Sequence, residues 1–152
     1  MVSDLELNPL FRDIDKKYID FLYPLFVRIT CTKGTVVIQQ GDAADFLYLI
    51  EKGAVEISYK PYDGETMTIT HVGTNGLFGW SALVGSTKYT SSGIAIEDVD
   101  ALRIRGADLR KLCVENPEAG KEILDRLASA VSTRWKDAHE QVRSILENGV
   151  KS

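Results

Sequence analysis

The feature that most constrains this chain is a series of glycines that cuts its central part into short, β-rich pieces. Gly34, Gly41, Gly53, Gly64, Gly73, Gly76 and Gly79 punctuate it. Between them lie residues 35–38 (TVVI), 46–50 (FLYLI), 55–59 (VEISY) and 66–70 (TMTIT), the last two alternating cleanly. Asp63-Gly64 is a hairpin signal between those two runs. Short strands at regular spacing, with turn residues between them, predict a β-sandwich or barrel rather than a parallel sheet.

The flanks are helical. Asn8-Pro9 opens a helical region in which Phe11, Ile14, Tyr18, Phe21 and Leu22 recur at helical spacing, with Asp13 or Asp15 near its first turn and Pro24 near its end. A short, helix-compatible insert spans 78–84, and strand character returns at 90–96 and 101–104. A short helix is predicted over 107–114. A long one follows from Asn116, as N-cap, and Pro117 to about Glu147, where Asn148-Gly149 is a stop signal.

That long helix carries its own message. Leu124, Ala128, Val131, Trp135, Ala138, Val142 and Ile145 alternate steps of four and three, a heptad seam. A second apolar edge, Ile123, Leu127 and Ala130, runs beside its start. One edge can pack on the β part while the seam meets a second copy, so a homodimer through this helix is expected. Residues 1–115 then form the sensor part. Residues 116–152 belong to the same domain and supply the dimer interface.

Length and charge narrow the function. A chain of 152 residues with 44% hydrophobic content fits one domain with one sizeable core. A net charge of -4 argues against a broad nucleic-acid-binding face. No run of eighteen apolar residues exists, and the acidic N-terminus lacks a signal-peptide pattern, so a cytoplasmic protein without a membrane segment is expected. Cys31 and Cys113 are far apart and read as two buried free thiols. His71 and His139 have no triad partner or metal-ligand spacing in view, so neither catalysis, nor a metal, nor a cofactor is predicted.

In order and spacing the motifs resemble the cyclic-nucleotide-binding domains of the catabolite activator protein (CRP/FNR-like) family. Residues 33–42 (KGTVVIQQGD) look like that family's early hairpin with its glycine-aspartate turn, and 45–50 (DFLYLI) with Lys52-Gly53 like the next. Residues 78–83 (FGWSAL) look like its phosphate-binding cassette, and 98–109 like the last strand running into the following helix. The resemblance implies a mainly β fold with flanking helices, an antiparallel β-roll of jelly-roll type with a long C-terminal dimerisation helix, and a regulatory, ligand-binding role in signal transduction. Its ligand site would fall on Phe78, Gly79, Trp80, Ser81, Ala82, Lys88, Tyr89, Thr90 and Ser91. Gly79 permits close backbone approach, and the amides of a helix start beyond it would favour an anion.

The sequence departs from the family where the ligand is gripped. A glutamate that holds the ribose hydroxyl is usual after Phe-Gly, and here Trp80 stands there. The arginine that pairs with the cyclic phosphate would fall on Tyr89 or Thr90, and Lys88 is the one cation between Val72 and Leu102. Losing one partner of a buried charge pair costs roughly 2–5 kcal/mol, or about 30-fold to several thousand-fold in affinity. The expectation is a sensor module with a degenerate cassette that binds a non-standard small ligand or none. The alternatives are a genuine cAMP- or cGMP-binding domain and a structural dimerisation scaffold. Only residues 148–152 follow the long helix and they hold no recognition helix, so the chain reads as complete, direct DNA binding is not expected, and a separate protein effector is.

Overall fold

The computed structural model describes residues 8–84 and 88–129. The leading helical region resolves into separate pieces. Asn8 accepts the Leu10 N–H at 2.9 Å and starts a 3-10 turn, Pro9–Phe11. Asp13 then adopts φ 65, which no helix tolerates, and breaks the run. Asp15 restarts it by accepting the Lys17 N–H at 3.0 Å, and α1 (Lys16–Leu22) follows. A second 3-10 turn, Tyr23–Leu25, holds Pro24.

Eight strands follow: β1 (Val27–Cys31), β2 (Val36–Ile38), β3 (Phe46–Lys52), β4 (Val55–Tyr59), β5 (Met67–Val72), β6 (Leu77–Phe78), β7 (Ser92–Ala95) and β8 (Val99–Arg105). They build two sheets, ordered β1-β8-β3-β6 and β2-β7-β4-β5, with every pairing antiparallel. The chain passes repeatedly from one sheet to the other, which makes the expected jelly roll. The helical insert is the short α2 (Ser81–Val84) between β6 and β7. The β4–β5 connection is longer than a two-residue hairpin. The strands end at Tyr59 and resume at Met67, and Gly64 N–H closes a turn on Pro61 O at 3.4 Å.

β3 is apolar from Phe46 to Ile50 because that stretch is buried on both faces. Tyr48 and Ile50 point between the sheets, where they meet Ile38, Val55, Phe78, Val99 and Ala101. Leu47 and Leu49 point the other way, into a second core capped by helices. Those helices are α1, α3 (Gly106–Glu115) and α4 (Pro117–Ser129). Asn116, at φ -136, ends α3, and Pro117 opens α4. Gly120 sits in α4 because a Cβ there would come within 2.7 Å of the Cys113 Cα on α3. The two helices therefore touch backbone to side chain.

The placement of α4 corrects part of the heptad expectation. Leu124 and Ala128, assigned to a dimer seam, are 0% exposed within their own chain, as are Ile123 and Leu127. Both apolar edges at the start of the helix are drawn into the helix-side core and have no surface left for a second copy. Val131, Trp135, Ala138, Val142 and Ile145 lie outside the described residues, as do His139 and the predicted helix end. α4 is also tied to the amino-terminal turn. The Arg126 guanidinium donates to the Leu10 carbonyl at 3.3 Å and to that of Arg12. Both cysteines are free, but only Cys113 is fully buried, and burial pushes its thiol up to about 11. Cys31 is half-buried at the edge of the roll interior.

Candidate functional site

The β6–α2 turn places the cassette residues. Phe78 pairs with Tyr48 across the sheet, and their rings stack at 4.9 Å and 4°. Gly79 follows at φ +84, where a Cβ would stand 2.8 Å from the Phe46 carbonyl oxygen. Glycine is required there on both counts, conformation and space. The amides of Ala82 and Leu83 donate to the carbonyls of Gly79 and Trp80, each at 3.0 Å. They close the first turn of α2 and are not open to an anion, contrary to the expectation for Ala82, whose side chain is buried as well. At the other end of α2, the Arg110 guanidinium donates to the carbonyls of Ala82 and Leu83.

Trp80 and Tyr89 do not line a common pocket. Trp80 is half-buried and packs against the helix-side core. Tyr89 belongs to the opposite core, between the sheets. The turn at Gly79 explains the split, because it sends the residue after it to the other face of the first sheet.

Tyr89 is 7% exposed. Its hydroxyl donates to Phe46 O at 2.6 Å and accepts from Phe46 N–H at 3.1 Å. Its own backbone donates to Asp42 O and accepts from Gly41 N–H, both at 2.9 Å. β6 covers the free edge of β3 only at Tyr48 and Leu49, and the Tyr89 hydroxyl satisfies that edge one step further, at Phe46. Burial pushes this hydroxyl up to about 12. At pH 7 it is neutral and fully engaged.

The other predicted residues are more exposed. Ser81 and Thr90 approach with their hydroxyl oxygens 3.4 Å apart. Lys88 is exposed and bridges to Ala43 through the backbone, so it is no buried counter-ion. Ser91 is half-buried. The adjacent Ser92 hydroxyl accepts from Gln40 N–H at 2.9 Å and from the Gln39 side chain at 3.3 Å. His71 lies 3.3 Å from Glu56 on the exposed face of the β4–β5 hairpin, an ordinary surface pair.

Sequence reasoning missed two cations that the roll brings to the same place. The guanidinium of Arg103 lies over the Phe46 ring at 4.1 Å from its centroid, and that of Arg105 at 5.0 Å. Alternation along β8 carries Val99, Ala101 and Arg103 to one face, and the first two are in the inter-sheet core. The signal was the period itself.

The family model described as "Cyclic nucleotide-binding domain" matches residues 28–116. Among curated proteins, the chain is 26% identical over 131 residues to the cyclic AMP receptor protein of Thermus thermophilus, covering 86% of this chain and 59% of that one. It is 24% identical over 139 residues to the cAMP-dependent protein kinase regulatory subunit of Dictyostelium discoideum, covering 91% of this chain and 42% of that one. The chain thus spans about half the length of these curated relatives. Among solved structures, the N-terminal domain of a transcriptional regulator from Streptomyces coelicolor superposes with a TM-score of 0.67 at 26% identity, covering 90% of this chain and 94% of that one. Among the described residues, no helix is long and apolar enough to cross a membrane. With the roll, the glycine turn after β6 and the following short helix all in place, the chain belongs to the cyclic nucleotide-binding domain family.

Proposed function

We propose that this domain is a regulatory sensor whose cassette does not grip a cyclic phosphate in the family's usual way, and that it responds to a small ligand of another class. The observation that carries this reading is the Tyr89 hydroxyl. The resemblance puts a phosphate-pairing guanidinium at Tyr89 or Thr90; the first is a neutral phenol held on both sides by the Phe46 backbone, and the second offers only a hydroxyl. Trp80, at the position of the ribose-binding glutamate, packs toward the helices and offers no carboxylate.

In this reading a ligand shifts the helix that follows the roll, which requires different affinities for two helix positions. Dimerisation would fall to residues beyond Ser129. The signal would pass in the cytoplasm to a separate protein effector, without direct contact with DNA. Tyr89 closing the cassette also suits a scaffold that binds nothing, and a thermal-shift screen of metabolites separates the two. A ligand at a thousand times its Kd adds about 4 kcal/mol of stability, whereas a scaffold gains nothing from any compound. The direct test is calorimetric titration of the purified chain with cAMP and cGMP. No saturable uptake is expected at micromolar concentrations. Micromolar or tighter binding of either nucleotide overturns the reading.

A further inference from the structure

We propose that Arg103 is the anion-binding residue of this domain, and that its ligand is a small planar organic molecule bearing a carboxylate or phosphate. The proposal rests on the reading above that the domain senses a small molecule. It relocates the cation from the cassette to β8.

Three observations converge on it. The first is position. Arg103 lies in register with Tyr48 on β3 and continues the inward-facing row Val99, Ala101. Its guanidinium therefore enters the space between the sheets, where it hydrogen-bonds the Tyr48 hydroxyl and its charge reaches Cys31 and Tyr89. The second is charge. Arg103 and Arg105 both sit over one Phe46 ring, and among the described residues no carboxylate forms an ion pair with either. Two like charges drawn toward a half-buried apolar lip are unfavourable until an anion joins them. The third is an orphaned donor. The Arg103 Nε is buried and has no hydrogen-bond partner. A buried donor of this kind is unfavourable until a partner satisfies it.

Carboxylates and phosphates take arginine side-on, through Nε and one Nη together. The missing partner of Nε is thus the partner that an oxyanion supplies. Phe46, half-buried at this lip beside the Tyr48 ring, offers an aromatic surface suited to the planar body of such a ligand. Stacking on Phe46 keeps the guanidinium in place before the ligand arrives.

The test uses the full chain with benzoate and phenyl phosphate as probes and benzyl alcohol as the uncharged control, followed by amide chemical shifts. Saturable shifts centred on Phe46, Tyr48 and Arg103 are expected with at least one of the two anions, and which one saturates separates carboxylate from phosphate recognition. Benzyl alcohol should give none. Arg103→Met should weaken the bound anion by about tenfold or more, with Arg103→Lys intermediate because it keeps charge without the fork. Should Arg103→Met fail to fold, the wild-type shift map and the lysine variant decide. Equal binding of benzyl alcohol, shifts centred elsewhere, or unchanged affinity in the variants each overturn the proposal. So does the absence of binding by both anions, which assigns the arginine to packing alone. Uptake of cAMP is scored in a separate titration, so failure of the preceding reading is distinguishable from failure of this one.

Discussion

Replacing Tyr89 with phenylalanine removes one oxygen and tests how the edge of β3 is finished. The ring stays in the inter-sheet core, so the change is almost purely the loss of two hydrogen bonds to Phe46, at 2.6 and 3.1 Å. Phe46 is partly buried, and its amide and carbonyl would be left short of partners. Stranding such groups costs about 1–3 kcal/mol. In urea, with a slope of about 2 kcal/mol/M, the unfolding midpoint should fall by roughly 0.5–1.5 M. The same variant carries a pH signature. Tyr89 ionises near its ordinary value of 10.0 when unfolded and at about 12 when folded. The folded state therefore holds more protons between those values. This contribution to stability is complete below pH 10 and is lost as pH rises toward 12, by on the order of 2 kcal/mol. Cys113 adds a similar alkaline loss from 9.0 to about 11, and it is common to both proteins. Urea unfolding across pH 8–11, followed by circular dichroism, should show the wild type losing more stability than Tyr89→Phe. A phenylalanine variant with an unchanged midpoint at pH 7 and a parallel pH profile would refute the reasoning.

Other variants probe the helices. Gly120→Ala raises helix propensity, yet its Cβ would meet Cys113 at 2.7 Å from Cα. Thermal melts should show a net loss of about 1–3 kcal/mol, because α3 and α4 must move apart. Leu124→Ala should cost about 2–5 kcal/mol in chemical denaturation, with a midpoint shift that does not depend on protein concentration. A shift that disappears on dilution would return Leu124 to an interface between copies.

Much of the roll was legible because glycines and alternation act locally. The runs 35–38, 46–50 and 55–59 and the α3–α4 break at Asn116-Pro117 lie close to where they were read. β1 was missed because it is an edge strand whose exposed and half-buried residues give a weak alternation. β6 was missed because two residues hide inside the cassette. The site was harder. Which core Trp80 enters depends on the rotation at Gly79, and the partners of the Tyr89 hydroxyl depend on strand register set by residues far away in sequence. The role of Leu124 failed for another reason, since a heptad seam and a stripe facing one's own core share nearly the same period over one or two turns. Arg103 was within reach, but the strand reading began at Ala101, two residues into β8, and the inward row was too short to notice.

The clasp of Arg126 has a consequence for how this domain could report on itself. Its guanidinium holds the carbonyl of Arg12, a residue 114 positions away, and its i,i+4 partner Glu122 steadies it at 3.1 Å. The last turn of α4 is consequently tied to the amino-terminal turn. A displacement of that turn must break these bonds or carry the amino-terminal turn along, which couples two segments far apart in sequence.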